Sequence, residues 1–110
     1  MSVTPSDKAF ATELFAPLGT ITTRPMMGGA CLYADAMLFG IIDSEGQIYL
    51  RAKGALADRL ATEGCRQFSY SSAKSGKIGS MAYWTLPEDA LDDTGLACDW
   101  ARQSLNASEN

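Results

Sequence analysis

The sequence contains no histidine. That absence excludes Ser-His-Asp and Cys-His nucleophilic sites, zinc sites with histidine ligands, and acid–base catalysis by imidazole. Long apolar runs are also missing, since none approaches the ~20 residues of a membrane-spanning helix, and the N-terminus lacks the basic-then-apolar pattern of a signal peptide. These absences predict a soluble cytoplasmic protein.

Paired cysteines are absent as well. The three cysteines, Cys31, Cys65 and Cys98, are odd in number and widely spaced, which fits neither a disulfide framework nor the Cys-x-x-Cys pairs of a zinc site. Because free cysteine is among the most buried residue types, we interpret them as reduced and mostly buried thiols. We expect no metal site and no cofactor.

Basic residues are few and unevenly placed. The net charge is −4, yet residues 51–77 hold six Lys and Arg against two Asp and Glu, while residues 85–110 hold six Asp and Glu against one Arg. Neutralising phosphates needs a basic face with little opposing charge nearby, so this acidic chain is a poor nucleic-acid binder on its own. Its polarity suits a protein partner better, and nothing in it suggests a membrane.

The first helix begins at a clear capping signal. Thr4 is placed to cap the helix, Pro5 fits the first helical position, and Asp7 completes a variant of the capping box. Pro17 and Gly19 end the helix. Its predicted apolar face consists of Phe10, Leu14, Phe15 and Leu18.

From Thr20 the apolar period changes to two, which indicates strands. Strand-like runs cover residues 20–23, 31–33, 37–42 and 47–51. The separators between them, Gly28-Gly29, Asp35-Ala36 and residues 43–46, are hairpin-sized, and connections this short join only antiparallel neighbours. The apolar run Met37–Ile42 suits a central strand or a subunit contact, and Gly40 suits a bulge or a close approach of two backbones.

The second half of the chain adds helices and two more strands. Residues 54–64 form an amphipathic helix closed by Gly64, residues 68–70 and 78–86 are strand-like around a mobile loop at 71–76, and residues 87–92 form a helical turn. Asp93 or Thr94 caps a last helix. The residues of that helix expected to face inward are Ala97, Trp100, Ala101 and Leu105.

The order α-ββββ-α-ββ-α predicts an α+β fold. We expect an antiparallel sheet of about four to six strands, the first four as a meander, packed with about three helices. A chain of 110 residues matches one domain. We place that domain at residues 1–110, with an ordered core over about residues 8–106 and a frayed tail at 107–110.

Three motifs suggest chemistry, and each favours a structural interpretation. Gly28-Gly29 lacks the spacing of a phosphate-binding loop and has no helix after it, so a tight turn is favoured. The acidic residues around Asp92-Asp93 lack the alternate spacing of a calcium loop and suit a helix start. Serines beside lysines at residues 71–77 lie in a segment too polar to desolvate a catalytic lysine, which favours a basic loop.

One set of residues supports a binding hypothesis. Arg24, Arg51 and Lys53 lie on strands or strand ends, where they are placed to converge on an anionic group. Arginines on a sheet face also serve as ordinary solvated side chains, and that alternative stays open. The aromatic residues expected to line the same surface are Tyr33, Tyr49, Tyr83 and Trp84. The predicted ligand-binding residues are Arg24, Arg51, Lys53, Tyr83 and Trp84.

An ordered set of short motifs resembles a known family. The set comprises Arg24-Pro25-Met26-Met27-Gly28-Gly29, Leu32-Tyr33, Phe39, Tyr49-Leu50-Arg51, Phe68-Ser69-Tyr70, Tyr83-Trp84-x-x-Pro87 and Trp100-Ala101. Over about residues 8–106 the chain resembles the N-terminal domain of the TfoX/Sxy competence regulators. The typical family form is Arg-x-Met-Phe-Gly-Gly-x-Gly-Leu-Tyr, and the chain departs from it at Met27 and Cys31. It matches that form at Arg24, Met26, Gly28, Gly29, Leu32 and Tyr33.

The resemblance implies a role in transcriptional activation of bacterial DNA-uptake genes, in concert with a cyclic-AMP receptor protein. It brings no catalytic residues. We therefore predict a non-enzymatic regulatory module that binds a protein partner, such as the transcription machinery, or forms a homodimer, through its sheet edge or its apolar strand. The alternative is a small anionic-ligand binding protein or enzyme with a pocket around Arg24, Lys53 and Trp84.

Overall fold

A computed structural model of the chain describes residues 3–26, 28–71 and 78–108, and of residues 69–71, 78–81, 107 and 108 the backbone alone. The helices are α1 (Pro5–Leu14), α2 (Ala55–Thr62), α3 (Glu88–Leu91) and α4 (Thr94–Ser108), with a 3₁₀ helix at Ala16–Leu18. The strands are β1 (Ile21–Met26), β2 (Gly29–Ala34), β3 (Met37–Ile42), β4 (Ile48–Arg51), β5 (Gln67–Ser71) and β6 (Ile78–Thr85). The predicted α+β fold is confirmed.

The six strands form one antiparallel sheet in the order β1-β2-β3-β4-β6-β5. Its first four strands are sequential neighbours, which confirms the predicted meander. Strand β5 does not pair with β4. It forms the outer edge of the sheet, and β6 lies between β4 and β5. The loop predicted to be mobile lies, apart from Ser71, outside the described residues, as do residues 109–110 of the predicted tail.

The β1–β2 hairpin contains the two adjacent glycines. Met26 pairs with Gly29, and Gly28 in the turn between them has a φ of 84°, a conformation that glycine adopts without strain. The predicted turn is therefore confirmed. Gly29 has a different role, because a Cβ at this position would lie 2.1 Å from the carbonyl oxygen of Ile42. Two backbones approach closely there.

The β2–β3 hairpin has a second tight turn, in which Asp35 and Ala36 have φ values of 48° and 70°. Positive φ at both central residues is typical of a type I′ turn. The carboxylate of Asp35 accepts a hydrogen bond from the Thr20 N–H at 2.9 Å and so joins the turn to the start of β1. Ala36 occupies its strained position with a Cβ that crowds the backbone.

Replacing Ala36 by glycine should therefore stabilise the protein. We expect Ala36→Gly to raise the free energy of unfolding by about 0.5–1 kcal/mol, because relief of backbone strain exceeds the added flexibility of the unfolded chain. Chemical denaturation measures the change. As a control, Ala9→Gly on the exposed side of α1 should lower it by about 1 kcal/mol. Equal losses in both variants would contradict the turn assignment.

Strand β3 is the predicted central strand. It pairs with β2 on one side and β4 on the other, and residues 39–42 are buried. The β2–β3 register shifts where Leu32 pairs with Gly40 and Tyr33 with Leu38, which leaves Phe39 as the extra residue of a bulge. A Cβ on Gly40 would lie 2.5 Å from the carbonyl oxygen of Tyr49. The close approach expected at Gly40 is therefore confirmed, and the bulge lies at the residue before it.

The helices pack on one face of the sheet. Edge-to-face packing of the Phe15 and Phe39 rings, with centroids 5.0 Å apart, joins the end of α1 to β3. Around α2, the side chains of Leu56 and Leu60 pack with Trp84. The main buried cluster draws on α1, α3, α4 and strands β2 to β4, and includes Leu14, Phe15, Leu32, Phe39, Ile42, Leu50, Ala90, Ala97 and Ala101.

Phe10 departs from the predicted apolar face of α1. Its side chain is 48% exposed, whereas Ala11, Leu14 and Phe15 are buried. Successive helical residues are about 100° apart, so a face centred on Ala11 and Phe15 turns Phe10 toward solvent. The four-residue spacing was therefore the wrong indicator of the buried face at this position.

The helix caps follow the sequence signals. The N–H of Asp7 donates to the Thr4 hydroxyl at 3.1 Å and the N–H of Thr4 donates to the Asp7 carboxylate at 3.0 Å, which confirms the capping box. Asp93 is the cap of α4, because its carboxylate accepts from the Leu96 N–H at 3.1 Å. After α2, Gly64 has a φ of 86° and Cys65 donates its N–H to the Leu60 carbonyl at 3.0 Å, a Schellman motif.

Ser104 connects α4 to the sheet. Its hydroxyl is buried and lies within hydrogen-bond distance of the carbonyl oxygens of Phe39, the bulge residue, and Arg51, the last residue of β4. We expect Ser104→Ala to lower the free energy of unfolding by about 1–3 kcal/mol, because a buried carbonyl loses its donor. Thr12→Ala, which removes a hydroxyl bonded to the Lys8 carbonyl on the exposed side of α1, is the control and should cost less than about 0.5 kcal/mol. Thermal and chemical unfolding of both variants test the difference.

Candidate arginine–tyrosine face

The registers of the sheet show which side chains share each face. Leu32, Gly40, Leu50 and Trp84 pair in one row across the sheet, and this row belongs to the face that the helices cover. Side chains alternate along a strand, so the residues before and after these point to the opposite face, apart from the bulge residue Phe39, which packs in the core. Within residues 3–26, 28–71 and 78–108, no helix packs on that opposite face.

We call this opposite face the uncovered face, because no helix of the described residues packs on it. One row of its side chains crosses the whole sheet. Arg24 on β1 pairs with Cys31, Cys31 with Ile41, and Ile41 with Tyr49. Tyr49 pairs with Thr85, whose N–H donates to the Arg66 carbonyl at 2.9 Å just before β5. The row therefore has an arginine at each end. Ile41 in its centre is 1% exposed, while Arg24 and Arg66 are exposed.

A second row runs beside the first. Tyr33 pairs with Thr22 and Leu38, and Arg51 pairs with Tyr83. The pKa of the Tyr83 phenol responds to the charges of Cys31, Tyr33 and Arg51, so these groups lie near Tyr83. We define the arginine–tyrosine face as Arg24, Arg51, Arg66, Tyr33, Tyr49, Tyr83 and Phe68.

The guanidinium group of Arg24 packs on an aromatic ring. Its central carbon lies 5.5 Å from the centroid of the Tyr33 ring, a cation–π contact between neighbouring strands. In the described part of the chain, no carboxylate oxygen lies within 4.0 Å of the guanidinium nitrogens of Arg24 or Arg66. An arginine held by an aromatic ring keeps its donors available for an anionic group from outside.

Tyr49 is surrounded by aromatic and acidic groups. Its ring packs edge-to-face on Phe68, with centroids 5.0 Å apart. Burial raises the pKa of Tyr49, the charge of Asp43 and a hydrogen bond to it add to the increase, and Arg66 opposes it. Burial also raises the pKa of Tyr83, where the Cys31 thiol adds and Arg51 opposes. Both phenols therefore stay neutral near pH 7, and the positive charge of the face comes from its arginines.

These shifts predict a loss of stability in alkali. The pKa values of Tyr49 and Tyr83 are raised from 10.0, and burial raises those of Cys65 and Cys98 from 9.0. Below about pH 8 these thiols and phenols are largely protonated in both states, so the contribution is complete. Above that, the unfolded chain loses its protons first, and we expect the free energy of unfolding to fall. Denaturation from about pH 8 to about pH 11 measures it. A constant or rising value across that range would contradict the assignment, and Tyr83→Phe should reduce the decline.

The structure brings some of the predicted site residues together and separates others. Arg24, Arg51 and Tyr83 share the arginine–tyrosine face. Trp84 does not, because it follows Tyr83 by one residue and packs with Leu56 and Leu60 on the helix-covered face. The prediction that Trp84 lines the same surface as Tyr83 is therefore wrong. Lys53 is exposed beyond the end of β4, next to the cap of α2.

Sequence reasoning missed Arg66 and Phe68 as members of the face. Neither residue lies in an alternating run that reveals its direction. Their placement depends on the pairing of β5 and β6, where the register shifts between Gln67 and Ser69. A signal was present in the Phe68-Ser69-Tyr70 motif, but it did not indicate which strand neighbours Tyr49.

The cysteines are free thiols in three different settings. Cys98 is buried and its thiol donates to the Leu14 carbonyl at 3.6 Å, whereas Cys31 and Cys65 are half-buried. The Cys31 thiol donates to the thioether of Met26 at 3.5 Å on the uncovered face. Among the described residues, no three histidine, cysteine, aspartate or glutamate side chains meet as a metal site. Nor is any helix in those residues long and apolar enough to cross a membrane.

Comparison with protein families identifies the fold. Residues 13–108 match the TfoX N-terminal domain, which covers nearly the whole chain and includes every strand of the sheet. The chain belongs to the TfoX N-terminal domain family. A comparison with curated proteins gave no significant match. In this TfoX N-terminal domain, the motif from Arg24 to Tyr33 forms the β1–β2 hairpin, with Gly28 in the turn and Arg24 on the uncovered face.

Proposed function

We propose that this domain is a non-enzymatic regulatory module that binds a protein partner through the arginine–tyrosine face. The observation that carries the proposal is the asymmetry of the sheet: helices cover one face, and the other presents arginines and aromatic rings. Arginine and tyrosine are enriched at protein interfaces because they combine large contact areas with hydrogen-bonding groups.

The face supports this role better than the β1 edge of the sheet does. The Asp35 N–H donates to the Thr20 carbonyl, so Thr20 and each second residue after it direct their backbone groups toward β2. Thr23 and Pro25 then direct theirs outward, and proline has no N–H to offer. A strand added to this edge would lose a donor at Pro25, which is a common protection against edge pairing.

The lack of histidine supports the non-enzymatic proposal. The sequence has no histidine, and burial keeps the phenols of Tyr49 and Tyr83 protonated near neutral pH by raising each pKa. Neither phenol is therefore poised to accept a proton there. We further propose that the domain acts in the bacterial cytoplasm in the regulation of competence genes. Family membership and the free thiols of a reducing compartment support this.

Site-specific photo-crosslinking in bacterial cells tests the proposal. A photoreactive phenylalanine replaces Tyr33 on the arginine–tyrosine face. The same residue at Phe10 or Leu96, both exposed on the helical side, is the matched control. We expect a discrete protein adduct from position 33 and none from positions 10 and 96. An adduct of twice the chain mass would identify a second copy as the partner. Adducts from the helical side alone, or from no position, would contradict the proposal.

A small anionic ligand is the second candidate. It is favoured by the absence, within the described residues, of a carboxylate beside Arg24. Since Trp84 lies on the other face, such a ligand would use Arg24 and Arg51 without it. Titration with acetate and phosphate, followed by chemical-shift mapping, separates this candidate from the first. A saturable chemical-shift response at both arginines, with no partner protein present, would favour the small anionic ligand.

A further inference from the structure

We propose that the segment recognised by the arginine–tyrosine face is an extended acidic polypeptide, with two carboxylates about six or eight residues apart on the same side of the chain and apolar residues between them. This inference rests on the proposed function and adds the chemical class of the partner. It is carried by the row that begins at Arg24 and ends at Arg66.

The positive charges of the row favour a partner segment with negative charge. Arg24 and Arg66 are exposed, and no carboxylate of the described residues lies within 4.0 Å of either guanidinium. Arg51 adds a third positive charge beside Tyr83. A guanidinium group binds a carboxylate through two parallel hydrogen bonds, which gives direction as well as attraction.

The spacing of the row sets the length of the partner segment. Arg24 lies on β1 and Arg66 at the start of β5, and five strand intervals separate them in the sheet. At about 4.8 Å per interval the row spans about 24 Å. An extended chain advances about 3.4 Å per residue and its side chains alternate in direction, so carboxylates about six or eight residues apart lie on one side of the chain and would meet the two arginines.

The centre of the row sets the character of the residues between the carboxylates. The rings of Tyr49 and Phe68 are partly exposed and pack edge-to-face beside the row, whereas Ile41 beneath its centre is buried. Tyr33 lies in the adjacent row. These neutral, largely apolar groups favour leucine-like or threonine-like side chains in the partner.

The acidic groups beside the row favour a polypeptide over a nucleic acid. The carboxylates of Asp43 and Glu45 both raise the pKa of the Tyr49 phenol, so negative charge lies beside the row. A nucleic-acid strand carries a charge about every 3.4 Å and would place phosphates against these carboxylates. A peptide with charges only at its ends avoids that repulsion.

A peptide titration tests the inference. The probe is a nine-residue peptide with glutamate at its first and last positions, which share one side of an extended chain, and leucine or threonine between. The control peptide has glutamine in place of both glutamates. Binding to the whole isotopically labelled chain is followed by backbone chemical shifts. The variant Arg24→Gln with Arg66→Gln changes exposed side chains only, and its unperturbed spectrum verifies the fold. Arg59→Gln with Arg102→Gln, also exposed but on α2 and α4, is the matched control.

We expect the glutamate peptide to shift residues of the arginine–tyrosine face. Its affinity should fall about tenfold for the glutamine peptide and about tenfold in the Arg24/Arg66 variant, with no change in the Arg59/Arg102 variant. Equal affinity for both peptides, or no binding, would overturn the acidic class. Tighter binding of an eight-nucleotide oligothymidylate to the same residues would also overturn it. If the peptide does not bind but a crosslink forms at position 33, the proposed function is retained and only the acidic class of the partner is rejected.

Discussion

The variant Gly29→Ala should lose about 3 kcal/mol or more of the free energy of unfolding, and its melting temperature should fall by more than about 10 °C. A Cβ at this position would lie 2.1 Å from the Ile42 carbonyl oxygen and 3.1 Å from the Cα of Asp43. Both obstacles are backbone atoms, so no side-chain rotation relieves the overlap. The start of β2 must move away from β3.

Gly95→Ala is the matched control for this experiment. Gly95 lies in the first turn of α4, where the added Cβ meets the end of a carboxylate, that of Asp93, at 3.2 Å. Alanine is a better helix former than glycine, while its Cβ crowds the capping oxygen of Asp93, so we expect the two opposing effects to keep the change within about 1 kcal/mol. Chemical denaturation of both variants gives the comparison. A Gly29→Ala protein within about 1 kcal/mol of the original would show that the two backbones do not approach as described.

Charge reversal at both ends of the row should strongly weaken partner binding. We expect Arg24→Glu with Arg66→Glu to lower the affinity for the partner crosslinked at position 33 about a hundredfold, because two attractive contacts become repulsive. The stability of the fold should change little, since both side chains are exposed. Arg59→Glu with Arg102→Glu reverses the same number of charges on α2 and α4 and should leave affinity within about threefold. Equal losses in the two variants would show that net charge, and not the face, governs binding.

The sequence predicted the hairpin meander because its signals are local. Short separators force antiparallel neighbours, and Gly28 and the Asp35-Ala36 pair mark turns that need positive φ. The caps Thr4 and Gly64 were predictable for the same reason. Each depends on contacts within a few residues.

The membership of the candidate face was harder to predict because it depends on pairing between distant strands. Tyr83 and Trp84 are adjacent in sequence, and the pairing of β6 with β4 sends them to opposite faces. Arg66 joins the face because Thr85 pairs with it as well as with Tyr49. Phe10 shows the same limit on a helix, where its solvent exposure is decided by how α1 rotates against α4. Such outcomes follow from tertiary packing rather than local pattern.

The proposed function requires that the protein partner bind the sheet face opposite the helices. Ring signals of the chain labelled in tyrosine and phenylalanine, recorded before and after addition of the crosslinked partner, test it most directly. We expect the rings of Tyr33 and Tyr49 to shift or broaden, while the ring of Phe10, exposed at 48% on α1, stays unchanged. A shifted Phe10 ring beside unchanged tyrosines would place the partner on the helical layer and contradict the claim.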